Sequence, residues 1–266
     1  MMRLIMSGAA GRMGQCIIGL IQRAEDCELT GAVEIHGHPA VGKDAGTLAG
    51  CGTLGINVSD TLENVIDQAD AVIDFSLPAG TMSNAKICAE HATPLVIGTT
   101  GLSSTQTDEL RQCVRSFPCV LAPNMSIGIN VLLNVLAEMA VVLEKDYDIE
   151  VVEAHHRFKQ DAPSGTALAM AKTIAKAQGK DFDEVGIYGR QGDRKPGEIG
   201  MQSIRAGDIV GDHTVYFGGV GERIEITHRA QSRETFAYGA IQAARWVSTQ
   251  SSGLYDMQDV LELKKG

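Results

Sequence analysis

The chain has 266 residues, with 23 basic and 33 acidic side chains and a net charge of −10 when histidine is neutral. So acidic a chain lacks the basic footprint that nucleic acid or an anionic membrane requires, and neither is expected as a partner. A hydrophobic content of 44% over this length suits one or two folded domains and excludes wholesale disorder.

In chain order, the N-terminus reaches glycines and Arg12 before an apolar stretch of signal-peptide length develops, so no secretion signal is expected. Short apolar runs at residues 4–6, 29–33, 71–75, 95–97 and 120–121 predict strands, and helical periodicity predicts helices over 14–24, 62–68, 81–90 and 104–114. Strands alternating with helices imply a parallel sheet covered on both faces. The apolar run 131–143 is broken by Asn134 and Glu138 and falls short of the ~20 residues of a membrane helix. From about Ile149 the pattern becomes one strand, a helix over 164–178, and strand-like runs at 201–205, 213–217 and 223–227. This predicts a second, α+β domain with a mixed, largely antiparallel sheet. Residues 180–198, rich in charge, Gly and Pro, read as a mobile surface loop, and 236–247 as a further helix. The six cysteines form no Cys-x-x-Cys pair, which predicts small apolar side chains in a reducing, cytoplasmic setting rather than a metal site or a disulfide framework.

Directly after the first strand stands Gly8-Ala9-Ala10-Gly11-Arg12-Met13-Gly14. Glycines at this spacing allow a tight turn, close approach of backbone to a pyrophosphate, and close packing of helix on sheet. Twenty residues beyond Gly14, Glu34 ends the second strand, where a carboxylate can accept both ribose hydroxyls of an adenosine. The competing reading is a structural turn followed by a solvated glutamate. A second loop, Gly98-Thr99-Thr100-Gly101, follows the strand at 95–97.

The densest chemistry lies between Glu150 and Ala167. His155 and His156 are adjacent on an extended chain and point to opposite sides, which argues against a shared metal. One histidine and Lys159 can converge on a ligand, while Ser164 caps a helix after Pro163 and the amides of Gly165, Thr166 and Ala167 face the same space. A helix start beside His, His, Arg and Lys predicts a carboxylate site in an otherwise acidic protein.

These strings resemble the 4-hydroxy-tetrahydrodipicolinate (dihydrodipicolinate) reductase family of the diaminopimelate route to lysine. The resemblance rests on Glu153-Ala-His-His-Arg-x-Lys159-x-Asp161-Ala-Pro-Ser-Gly-Thr166-Ala, on Gly8 to Gly14, and on Val96-Ile-Gly-Thr-Thr-Gly101. Asn124-x-Ser126-x-Gly128-x-Asn130 and Arg205-Ala-Gly-Asp-Ile-Val-Gly211 extend it over nearly the whole chain. It implies hydride transfer from NADH or NADPH to an unsaturated nitrogen ring bearing two carboxylates, with loss of water. It also implies a Rossmann-type domain over 1–126 and 236–266, a substrate-binding and tetramerisation domain over 127–235, and a homotetramer. By the same resemblance His155 is a proton donor and acceptor and Lys159 a proton donor. His156, Ser164, Gly165 and Thr166 would bind the substrate carboxylate, with no metal. Gly8, Ala9, Ala10, Gly11, Arg12, Met13, Glu34, Gly98, Thr99, Thr100, Ala122, Pro123, Asn124 and Met125 would bind the cofactor. Several family members carry arginine after the acidic residue, whereas Ile35 stands here, so NADH is expected to be at least as good as NADPH. Arg12, His36, His38 and Lys43 are the groups that could compensate. The rival readings are another nicotinamide-dependent amino-acid dehydrogenase and a non-catalytic nucleotide-sensing protein.

Overall fold

The computed structural model describes residues 1–264. The chain divides into two compact units, Met1–Ile127 joined by the C-terminal stretch from Arg233, and Gly128–Ser232. In the first unit β1 (Met2–Ser7), α1 (Arg12–Arg23), β2 (Cys27–Val33), α2 (Ala45–Leu48), β3 (Val58–Ser59), β4 (Ala71–Asp74), α3 (Pro78–His91), β5 (Leu95–Ile97), α4 (Ser104–Cys113) and β6 (Pro118–Leu121) follow one another. Ile17, Ile18 and Ile21 give α1 one apolar face, which is buried. Pro78 opens α3 at a position where no amide donor is needed, and a Ser103 and Gln106 capping box opens α4. The helix expected over 62–68 is instead two 3₁₀ turns, Leu62–Asn64 and Ile66–Gln68, because Val65 leaves helical geometry at φ −130° between them. Leu62 and Ile66 are buried in the core and Val65 packs against it.

The second unit contains α5 (Ile127–Val142, from its second residue), β7 (Asp148–His155), α6 (Gly165–Ala177), α7 (Phe182–Val185), β8 (Gly186–Tyr188), β9 (Ile199–Arg205), β10 (Gly211–Gly218) and β11 (Arg223–Ala230). Its sheet has the order β11-β10-β7-β9-β8. β10 is antiparallel to β11 and β7, while β9 is parallel to β7 and β8, so the sheet is mixed, as expected, with the antiparallel pairings the more extensive. The parallel half arises because α6 carries the chain back across the sheet between β7 and β9. Apolar residues of α5 and α6 pack on one face of that sheet with Ile149, Val151, Met201, Val215 and Phe217.

Residues 180–198 are not the bare surface loop that composition suggested. They include α7 and β8, and their two arginines are paired: Arg190 bonds Glu198 at 2.5 Å and Glu150 at 3.1 Å, and Arg194 bonds Asp148 at 2.8 Å and also reaches Glu150. Charge density read as solvation is here cross-linking to β7.

The chain then returns to the first unit as α8 (Glu234–Val247), β12 (Gly253–Tyr255) and α9 (Met257–Val260). β12, three residues long and without a sequence signature, adds in parallel beside β6. The resulting sheet runs β12-β6-β5-β4-β1-β2-β3, with every pairing parallel. Alternation along the strands separates two cores: Leu4, Met6, Ile73 and Val96 face α1 and α8, whereas Ile5, Val72, Leu95 and Ile97 face α3 and α4.

Two glycines of α1 test this packing in opposite directions. A Cβ on Gly14 would lie 2.1 Å from the Gly8 carbonyl oxygen, whereas a Cβ on Gly19 meets nothing within 4 Å. Gly14→Ala should therefore destabilise the fold by roughly 1–3 kcal/mol. Gly19→Ala should stabilise it by roughly 0.5–1 kcal/mol, since a helix-interior glycine is replaced without contact. Urea unfolding midpoints read both changes, and a lowered midpoint for Gly19→Ala would contradict this account of α1.

Candidate active site

Because the sheet of the first unit is parallel, the loops leaving β1, β4, β5 and β6 emerge on one edge. Strand order reverses between β1 and β4, and such a switch point opens a crevice for a ligand. Gly8 turns the chain at φ +78°, and a Cβ there would lie 2.5 Å from the Phe75 carbonyl oxygen. Gly11 is the N-cap of α1 and is exposed, so the first turn of that helix is open to an anion. Ala10 N–H donates to Glu34 Oε2 at 3.0 Å, and Ile35 N–H to Glu34 Oε1 at 3.0 Å. A loop amide is thus bonded to the carboxylate at the end of β2. Gly98 lies against the Phe75 ring, where a Cβ would be 2.1 Å from Cζ, and buried Thr99 donates to the Ser76 carbonyl at 3.4 Å. Thr100 is exposed. After β6, Ala122 N–H donates to the Ile97 carbonyl at 3.0 Å, Pro123 is exposed, Asn124 accepts from Ser126 N–H at 2.9 Å, and Met125 is buried. Arg12 is exposed and Met13 half-buried at the start of α1. The expected cofactor residues therefore share one sheet edge.

In the second unit β7 ends at His155, and the loop to α6 carries Lys159 and Asp161. Glu153, fully buried, is the hub. It accepts from His155 Nδ1 at 2.5 Å, from Arg205 Nη1 and Nη2 at 2.8 Å each, and from Ser164 N–H at 3.2 Å. Burial acts to raise this carboxyl, but hydrogen bonds from Arg205, Ser203 and His155 outweigh it and hold Glu153 down at about 2. Burial lowers His155 below the ordinary imidazole range; Glu153 opposes that shift, and the charges of Lys159 and Arg205 add to it. Lys159 pairs with Asp161 at 2.8 Å.

Ser164 is buried and caps α6, its Oγ accepting from Ala167 N–H at 3.2 Å and meeting His213 Nε2 at 3.0 Å. The Ala167 amide, expected to be free for a ligand, is therefore used by the cap. Gly165 is exposed at the first turn, Thr166 is half-buried, and His156 Nδ1 is buried without a hydrogen bond. Sequence reasoning passed over His213, whose ring stands edge-on to His155 with centroids 5.1 Å apart. It also gave no role to Glu153 or Arg205, although both lie in the quoted motifs. Register is the missing signal: parallel pairing sets Arg205 opposite His155 and Ser203 opposite Glu153. Among the described residues no group of three or more His, Cys, Asp or Glu side chains is arranged to hold a metal ion.

The buried imidazole of His213 predicts a loss of stability in acid. His213 is pushed down to about 3 by burial and by the neighbouring His155. A group with a depressed folded pKa contributes stability above its unfolded value, ~6.5 for histidine, and loses it as the pH falls toward the folded value. Stability should fall by up to about 1.4 kcal/mol per pH unit below pH ~6.5 from this group alone. His213→Gln should flatten that slope between pH 6.5 and 4.5 in urea unfolding, and an unchanged slope would contradict the assignment.

The family model described as dihydrodipicolinate reductase, N-terminus, matches residues 2–125, and that described as dihydrodipicolinate reductase, C-terminus, matches residues 128–261. A 4-hydroxy-tetrahydrodipicolinate reductase of Syntrophus aciditrophicus is 51% identical over 264 residues, covering 98% of each chain. One of Geotalea daltonii is 50% identical over 267 residues, covering 99% of this chain and all of the relative. Among solved structures, a dipicolinate-bound dihydrodipicolinate reductase from Paenisporosarcina sp. TG-14 superposes with a TM-score of 0.78, covering 97% of this chain and 98% of that one. At 22% identity that last likeness is one of fold. With both family regions matched and full-length relatives at half identity, the chain belongs to the dihydrodipicolinate reductase family.

Proposed function

We propose that this protein reduces 4-hydroxy-tetrahydrodipicolinate to tetrahydrodipicolinate in the diaminopimelate route to lysine, consuming one NAD(P)H and one proton and releasing one water. The carrying observation is the site in the second unit: an imidazole held by a buried carboxylate, followed four residues later by an ammonium and nine later by a helix cap. When bound, the nicotinamide supplies hydride to one ring carbon. The hydroxyl leaves as water together with a proton from the adjacent ring carbon, and after hydride has been delivered to the double bond so formed, one proton must arrive at the neighbouring carbon. Neutral His155 can accept and return a proton at Nε2, and the Lys159 ammonium can donate one and stabilise developing negative charge. His156, the Gly165 and Thr166 backbone and the Ser164 cap form the carboxylate end of the site, with Ser164 shaping the helix start while its hydroxyl serves the cap. Lys159 exchanges Asp161 for the substrate. A homotetramer formed through the free face of the second sheet, where Val152, Thr214 and Tyr216 are half-buried, fits the same reading. Six free cysteines suit a reducing cytoplasm.

The direct test is loss of NADH absorbance when the protein meets the freshly made condensation product of aspartate semialdehyde and pyruvate. His155→Gln and Lys159→Ala should each lower kcat by on the order of 10²-fold. Near-normal kcat in both, with circular dichroism unchanged, would overturn the assignment.

At the adenosine end, Glu34 favours free ribose hydroxyls and repels an added phosphate, and the exposed Ile35 offers that phosphate nothing. Of the possible compensating groups, His36 faces Asp60 at 2.8 Å and His38 Nδ1 accepts from Ala40 N–H at 3.1 Å, which leaves Arg12 and Lys43. NADH should therefore serve at least as well as NADPH. Ile35→Arg should raise kcat/KM for NADPH about tenfold, or ~1.4 kcal/mol. A preference of the unaltered protein for NADPH by more than about tenfold at neutral pH would refute this account.

A further inference from the structure

We propose that Glu153 and Arg205 are positioning residues that keep His155 uncharged, with its Nε2 lone pair presented, until a dianionic ligand arrives and favours its protonation. This rests on the reading of His155 as a proton-transfer group and adds to it the control of when that group is charged.

An ionised carboxylate only accepts hydrogen bonds, so the ring nitrogen 2.5 Å from Glu153 must carry the proton. If the ring is neutral, that choice puts the lone pair on Nε2. Among the described residues nothing hydrogen-bonds Nε2. It lies beside Gly211 on β10, where a Cβ would approach to 3.1 Å, so the missing side chain keeps that nitrogen accessible.

Arg205 supplies the second half. A buried glutamate alone would favour the imidazolium, and the free protein would then hold a charged His155. Arg205 meets both Glu153 oxygens at 2.8 Å and cancels that field, so the buried pair carries orientation without net charge. The groups facing the ring are Glu153 from β7, Arg205 from β9, His213 from β10, and Lys159 from the following loop, with Asp161 paired to Lys159. The two cations are each balanced by a carboxylate and His213 is neutral, so burial decides and the free site favours the uncharged ring. Two ligand carboxylates reverse that balance: they engage Lys159 and place negative charge next to Nε2. His155 then gains its proton in the complex, where the reaction needs it.

Nitrogen-15 NMR of the His155 ring, assigned by its loss in His155→Gln, tests this on the intact protein. At pH 7 the free protein should show Nδ1 protonated and Nε2 bare, and saturating pyridine-2,6-dicarboxylate should raise the pH at which the ring titrates by about one unit or more. Glu153→Gln should lower that titration pH and Arg205→Met should raise it, whereas Arg205→Lys should restore it. Kcat for Glu153→Gln should fall at least ~10-fold, as when a carboxylate that sets a histidine tautomer is neutralised. A merely structural pair would not move the titration in opposite directions. A ring protonated at Nε2 in the free protein, or an equal titration pH with and without the dicarboxylate, overturns the proposal. The spectra are read without turnover, so this failure is distinct from failure of the reductase reading, which the His155→Gln rate measures.

Discussion

A carboxylate taken out of water must have its lone pairs matched, and the fully buried Glu153 finds its matches on three separate elements. Arg205 at the end of β9 supplies two donors, His155 at the end of β7 a third, and the Ser164 amide at the start of α6 a fourth. Each partner is thereby fixed relative to the others: the imidazole, the guanidinium and the helix start cannot shift independently without leaving an unpaired charge. Ser164 extends the set through its hydroxyl to Ala167 N–H and to His213 on β10. The mixed sheet makes this possible, since the parallel pairing of β7 with β9 sets Arg205 beside His155.

The first unit meets a different constraint by similar means. Its parallel sheet gathers four loops on one edge, and close packing there excludes side chains, against backbone at Gly8 and Gly14 and against the Phe75 ring at Gly98. Glu34 accepts an amide of the first loop, which ties the end of β2 to the turn after β1. Rigid strands thus carry the loops, while residues such as Arg12 and Thr100 stay exposed.

Much of this could be read from the sequence, for a physical reason: the informative devices are local. The glycine spacing, the Ser164 cap, the His155 and Lys159 spacing and the strand and helix alternation lie within single short windows. What escaped depends on register or on pairing across the chain. Glu153 and Arg205 are 52 residues apart and Ser164 and His213 are 49 apart, and no periodicity reports such partnerships. Residues 180–198 misled because composition counts charges without their partners, and Arg190 and Arg194 are bound to β7 acids. Residues 62–68 misled because a helical period of apolar side chains is also satisfied by two short turns with a break at Val65.

In the proposed reaction hydride and proton reach adjacent carbons of one ring. Mass spectrometry of the product formed with NADH deuterated at the transferring position of nicotinamide C4 tests this most directly. One deuterium per molecule of tetrahydrodipicolinate is the predicted result, with a turnover rate for its formation that collapses in His155→Gln. Tetrahydrodipicolinate without that deuterium, or no product at all from a folded protein that binds NADH, would contradict it.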